Sequence, residues 1–137
     1  MSIKEKIVKI VLKYYPNVQA VYLFGSYGTE HEWADSDVDI ALLLPHEVRI
    51  KPLDPVLLKC KGELESLLEK DVDIVNVRKV STVFQKEIIM TGRLLFCTDK
   101  YKVDEFEMYV LSFYQKLNEE RAEIIDSIIK DKRIVTS

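Results

Sequence analysis

Apolar positions Ile3, Ile7, Val8, Val11, Leu12 and Tyr15 recur at helical spacing, with Lys4, Lys6, Lys9 and Lys13 opposite them. That pattern predicts an amphipathic helix over residues 2–14, ended by Pro16-Asn17. Val18 to Phe24 is a β-branched and aromatic run of strand length, closed by Gly25. The polar stretch Tyr27 to Ser36 predicts a short helical turn plus loop. Asp37 to Leu44 reads as a second strand, apolar on both faces beyond Asp39 and therefore central and covered.

Pro45 and Pro52 bracket a poorly patterned loop that either lengthens the hairpin or stays irregular. Asp54-Pro55 is a helix start, with Asp as N-cap and Pro at the first helical position. Val56, Leu57, Cys60, Leu64, Leu67 and Leu68 give that helix its buried side. Asp71 to Val77 predicts a third strand. Thr82 with Gln85 suggests a capping box for a helix ending at Gly92, with Val83, Phe84, Ile88 and Ile89 as its apolar side. Arg93 to Thr98 is a short fourth strand. A helical pattern begins near Asp104 and runs to about Lys130. Its stripe, from Phe106, Tyr109, Val110, Phe113, Tyr114 and Leu117 to Ile124, Ile125, Ile128 and Ile129, exceeds what a small sheet can cover and leaves surface for a partner. The fold class expected is α+β, a small mixed sheet with helices packed on it. A single domain is expected over 1–137, with a core over about 1–98 and a C-terminal helical segment over about 99–134.

Composition narrows the function. With 137 residues, 47% of them hydrophobic, the chain can build one ordinary core and leaves no room for a second substrate-binding domain. A formal charge of -3 argues against direct nucleic-acid binding, which draws on clustered Lys and Arg. Cys60 and Cys97 sit in apolar contexts and read as thiols in a reducing compartment. No stretch has the apolar length of a signal peptide core or a membrane span, so a soluble, cytoplasmic protein is expected.

The chemistry concentrates where the first two strands meet. Residues two apart in a strand share a face, so Asp37 and Asp39 would project side by side, their Cα atoms roughly 6.6 Å apart. Paired carboxylates of this kind suit hard divalent cations such as Mg²⁺ or Mn²⁺, the recurring device of phosphoryl and nucleotidyl transfer. Gly25 lets the backbone approach a ligand closely, and the Ser26 hydroxyl and following amides can cradle a phosphate, above all if a helix begins there. Gly28 adds permissive backbone. Asp73, flanked by Val72 and Ile74, needs a compensating partner inside an apolar strand. If that strand neighbours Asp37 to Leu44, Asp73 completes the site as third ligand and proton acceptor. Asp71 has the same parity but lies beside Lys70 at the strand's mouth, where solvation is the plainer reading. Each piece alone is ordinary; together they are a rare coincidence at average residue usage. His31 and His46 lack Cys or His partners at ligand spacing and read as solvated. Trp33 reads as packing over the sheet edge rather than stacking on an adenine.

Gly25-Ser26, Asp37, Asp39 and Asp73 resemble the signature of the polymerase-β-like nucleotidyltransferase superfamily: Gly-Ser, a gap, Asp-X-Asp, then a third Asp on a later strand. The small size, leading helix and long C-terminal helix look like the minimal nucleotidyltransferase (MNT) antitoxins that pair with HEPN-domain toxin RNases. The resemblance implies two Mg²⁺ ions on Asp37 and Asp39, with Asp73 as third metal ligand and base and Gly25-Ser26 on the triphosphate of ATP. It also implies AMP transfer to a tyrosine hydroxyl of a cognate HEPN toxin, and a hetero-oligomer with that toxin. Thr29-Glu30 stands where many relatives carry Arg-Gly, leaving the triphosphate's basic partner unassigned. Two alternatives stay open: a non-catalytic antitoxin that acts by binding, and a transferase acting on a small molecule such as an aminoglycoside.

Overall fold

The described residues form helix α1 (Ile3–Tyr14), strands β1 (Ala20–Phe24) and β2 (Val38–Leu43), helix α2 (Pro55–Leu68), strand β3 (Val72–Asn76), helix α3 (Thr82–Thr91), strand β4 (Arg93–Cys97) and helix α4 (Lys100–Thr136). The computed structural model describes residues 1–30, 32–33 and 36–136, with side chains through residue 131. His31 therefore lies outside the described residues, as do Ala34 and Asp35 of the polar loop.

The four strands lie in the order β3-β2-β1-β4. β1 is antiparallel to both β2 and β4, whereas β2 and β3 run parallel through the α2 crossover. The sheet is thus mixed, and β2 is central and buried from Ile40 onward as its continuous apolar run predicts. Alternation sends Val21, Leu23, Val38, Ile40, Leu42, Val72 and Ile74 to a core with Ile7 and Val11 of α1 and Cys60 and Leu64 of α2. Ala20, Tyr22, Ala41 and Leu43 go to the other face, against Ile88 of α3 and Val103, Phe106 and Val110 of α4. Each large aliphatic side chain buried in this way contributes roughly 1.5–3 kcal/mol against solvent exposure.

Local signals set most boundaries. Asp54 caps α2 by accepting from the Val56 amide at 2.9 Å, with Pro55 at the first helical position. Arg78, just past β3, ties distant segments together. Its Nε donates to the Leu44 carbonyl at 2.6 Å and its Nη2 to Gln19 Oε1 at 2.7 Å, while its guanidinium lies over the Phe106 ring.

Several expectations need correction. The cap of α3 is Ser81, whose hydroxyl accepts from the Phe84 amide; Gln85 instead donates its side-chain amide to the Val77 carbonyl, so no Thr82–Gln85 box forms. Val56, Val83 and Phe84 are exposed rather than part of buried helix faces. The last helix starts at Lys100, not near Asp104, and reaches Thr136. Asp99 starts it early by accepting from the Tyr101 amide at 3.0 Å. Residues 46–51 do not lengthen the hairpin. Among the described residues, no helix is long and apolar enough to cross a membrane.

Candidate active site

The register of the sheet, more than any single residue, builds the site. Phe24 of β1 pairs with Asp39 of β2, and Asp39 pairs with Asp73 of β3, in one row across the sheet. Both aspartates occupy the second position of parallel strands, so they reach the same sheet end, where β1 runs out into Gly25. By alternation with Ala41 and Val75 they stand on the α3/α4 face. Asp37 sits just before β2, exposed. The Val38 amide that follows it donates to the Asp71 carbonyl at 2.8 Å, joining the mouths of the two parallel strands.

The electrostatics follow from that crowding. Burial, then the neighbouring Asp73 and Asp37 carboxylates, push the Asp39 carboxyl above its ordinary range. Among the described residues none of the three forms an ion pair. Three carboxylates gathered at one sheet end, unpaired with any base among the described residues, are a donor set suited to a divalent cation. They do not converge into a ready-made cage: among the described residues no three acidic, imidazole or thiol groups do so. Mg²⁺ fits such a set, because it is held by one or two carboxylates and takes its remaining oxygens from water and substrate phosphates.

Gly25 is fitted to this spot in two ways. Its φ of +79° is left-handed, and a side chain there would run into Asp39 Oδ2. After it the chain forms a turn rather than a helix: the Thr29 amide and hydroxyl both donate to the Ser26 carbonyl, at 3.0 and 2.6 Å. Ser26 Oγ donates to Ser36 Oγ at 3.0 Å, which also accepts from the Trp33 amide at 2.8 Å. The first and last residues of the loop are thus joined one position before Asp37. Lys70 Nζ closes the loop from the β3 side, donating to the Trp33 carbonyl at 3.3 Å and lying 3.6 Å from Glu32 Oε1.

The structure therefore brings Gly25, Ser26, Asp37, Asp39 and Asp73 to one sheet end. Asp71 is exposed at the mouth, as expected. Trp33 does not pack over the sheet edge; it is 75% exposed. His46 lies at the opposite end of the sheet, exposed as expected, with its Nε2 3.2 Å from Arg78 Nη1. Ser36 and Arg93 went unrecognised in the sequence. Arg93 Nη2 donates to the Tyr27 carbonyl at 2.6 Å, a contact that only the β1–β4 pairing creates.

Comparison with known proteins agrees with this geometry. Residues 5–101 match the family "Polymerase beta, Nucleotidyltransferase". The protein adenylyltransferase MntA of Shewanella oneidensis is 37% identical over 130 residues, covering 92% of this chain and 87% of MntA. A chain of a toxin–antitoxin complex solved with AMP-PNP superposes with a TM-score of 0.72 at 34% identity, covering 92% of this chain and 98% of that one. A chain from the complex of tri-AMPylated S. oneidensis HEPN toxin with MNT antitoxin gives 0.68 at 34% identity, covering 93% and 96%. With its mixed four-stranded sheet and long last helix, the chain belongs to the polymerase β nucleotidyltransferase family, in the branch that includes MntA.

Proposed function

We propose that this chain is an antitoxin protein adenylyltransferase that transfers AMP from ATP to a tyrosine hydroxyl of a cognate HEPN-domain toxin. The observation that carries the site assignment is the row Phe24–Asp39–Asp73 across the sheet, with Gly25 set against the Asp39 carboxylate. In the reaction the tyrosine oxygen attacks the α-phosphorus, the bond to the β-phosphate breaks, and pyrophosphate leaves. Asp73 takes the hydroxyl proton. It suits that role because it is exposed on the edge strand of the sheet, where a large acceptor can approach. Asp37, Asp39 and Asp73 would hold Mg²⁺, as two ions, which when bound neutralises the triphosphate and lowers the pKa of the attacking hydroxyl. Gly25 and Ser26 present backbone and hydroxyl to the β- and γ-phosphates.

The test is incubation with labelled ATP, Mg²⁺ and the product of the neighbouring gene. The partner should become labelled, and the double substitution Asp37→Ala, Asp39→Ala should reduce labelling to background. Undiminished labelling by the double variant would overturn the site.

A second reading, neutralisation by binding alone, draws on α4. Ile124, Ile125, Ile128 and Ile129 are each 44–59% exposed on it, an apolar stripe left largely open to solvent among the described residues. Protection from the toxin by the double variant as strong as that by wild type would favour this reading.

A further inference from the structure

The loop carrying Gly25 and Ser26 rests on a cation that comes from outside it. Arg93 opens β4 beside Leu23 of β1 and is half-buried. Its Nη2 holds the Tyr27 carbonyl. Its Nη1 fills the space a side chain at position 28 would need, since a Cβ built on Gly28 would stand 2.9 Å away. Gly28 itself is left-handed, with φ +74°, and its amide donates to Glu32 Oε2 at 3.1 Å. Among the described residues Arg93 forms no ion pair. A guanidinium bonded to a neutral carbonyl keeps its full charge and further N–H donors. That charge lies behind the turn that follows Ser26.

The geometry points to Arg93 as a positioning residue for the triphosphate. It fixes the Gly25–Gly28 turn through the Tyr27 carbonyl and supplies the positive field for the β- and γ-phosphates that the loop itself, with Thr29 and Glu30, does not. This rests on the adenylyltransferase reading above. A mere strut would serve every adenine nucleotide alike, whereas a fixed charge acts in proportion to the charge of the ligand.

The distinction can be read by titrating ATP, ADP and AMP, each with Mg²⁺, into the full chain and into Arg93→Met and Arg93→Lys. Arg93→Met should weaken ATP about tenfold, ADP less, and AMP by under about twofold. Arg93→Lys, which keeps the charge and loses the planar fork, should recover most of the ATP affinity. Melting curves accompany each titration, and Arg93→Gln replaces Arg93→Met should the latter not fold. Equal losses for all three nucleotides, or undiminished ATP binding, would overturn the inference. Wild type that binds ATP yet never labels the partner overturns the acceptor assignment alone; wild type with no ATP binding overturns both.

Discussion

Asp39 carries opposing demands. Burial and its acidic neighbours hold its carboxyl above the ordinary 3.8. The folded chain therefore binds that proton more tightly than the unfolded chain. This group's contribution to stability is greatest below the unfolded value and falls as pH rises through the folded one. Asp39→Asn should accordingly raise the stability at pH 7, by under about 1 kcal/mol once solvent screening is allowed for. The gain should vanish below the unfolded range, which melting curves taken across pH would show. Millimolar Mg²⁺ should stabilise wild type more than this variant. Gly25 has less latitude: alanine must adopt a left-handed backbone and displace Asp39 Oδ2. Gly25→Ala should cost about 1–3 kcal/mol of stability and most of the activity, measurable by denaturant titration and partner labelling.

Among the elements, periodicity made most of the fold legible, because amphipathic helices and a continuous central strand write their burial into the sequence. What escaped were end effects and cross-chain contacts. The start of α4 lies ahead of its apolar stripe, because the first turn carries Lys100, the 76% exposed Tyr101 and Lys102; the local signal for it is the cap at Asp99. Ser81 and Thr82 carry the same hydroxyl chemistry, and only backbone geometry decides that Ser81 is the cap. Ser81→Ala should then cost about 1 kcal/mol, whereas Thr82→Ala should cost little; urea midpoints would tell them apart. The carboxylate triad was legible because its spacing is rare. Arg93 was not, since its partner Tyr27 lies 66 positions away. Arg78 was hidden for the same reason, and Arg78→Met should lose roughly 2–3 kcal/mol with its bonds to Leu44 and Gln19.

At the scale of the molecule, α4 divides in two. Its first turns close the core through Val103, Phe106 and Val110, while every residue from Asn118 to Asp131 is exposed. At 37 residues the helix extends about 55 Å, longer than the sheet it covers. Ending the chain at Asn118 should leave the melting temperature within about 2 °C, while co-purification with the partner should fall.

The parallel pairing of β2 and β3 sets where this protein can drift. Any length of crossover serves, provided Asp39 still meets Asp73, so insertions between Pro45 and Leu53 are cheap. One residue inserted inside β2 is not, because a single-step slip turns the strand's side chains to the opposite face. A variant of that kind can stay folded and keep every acidic residue, yet have its carboxylates on opposite sides of the sheet.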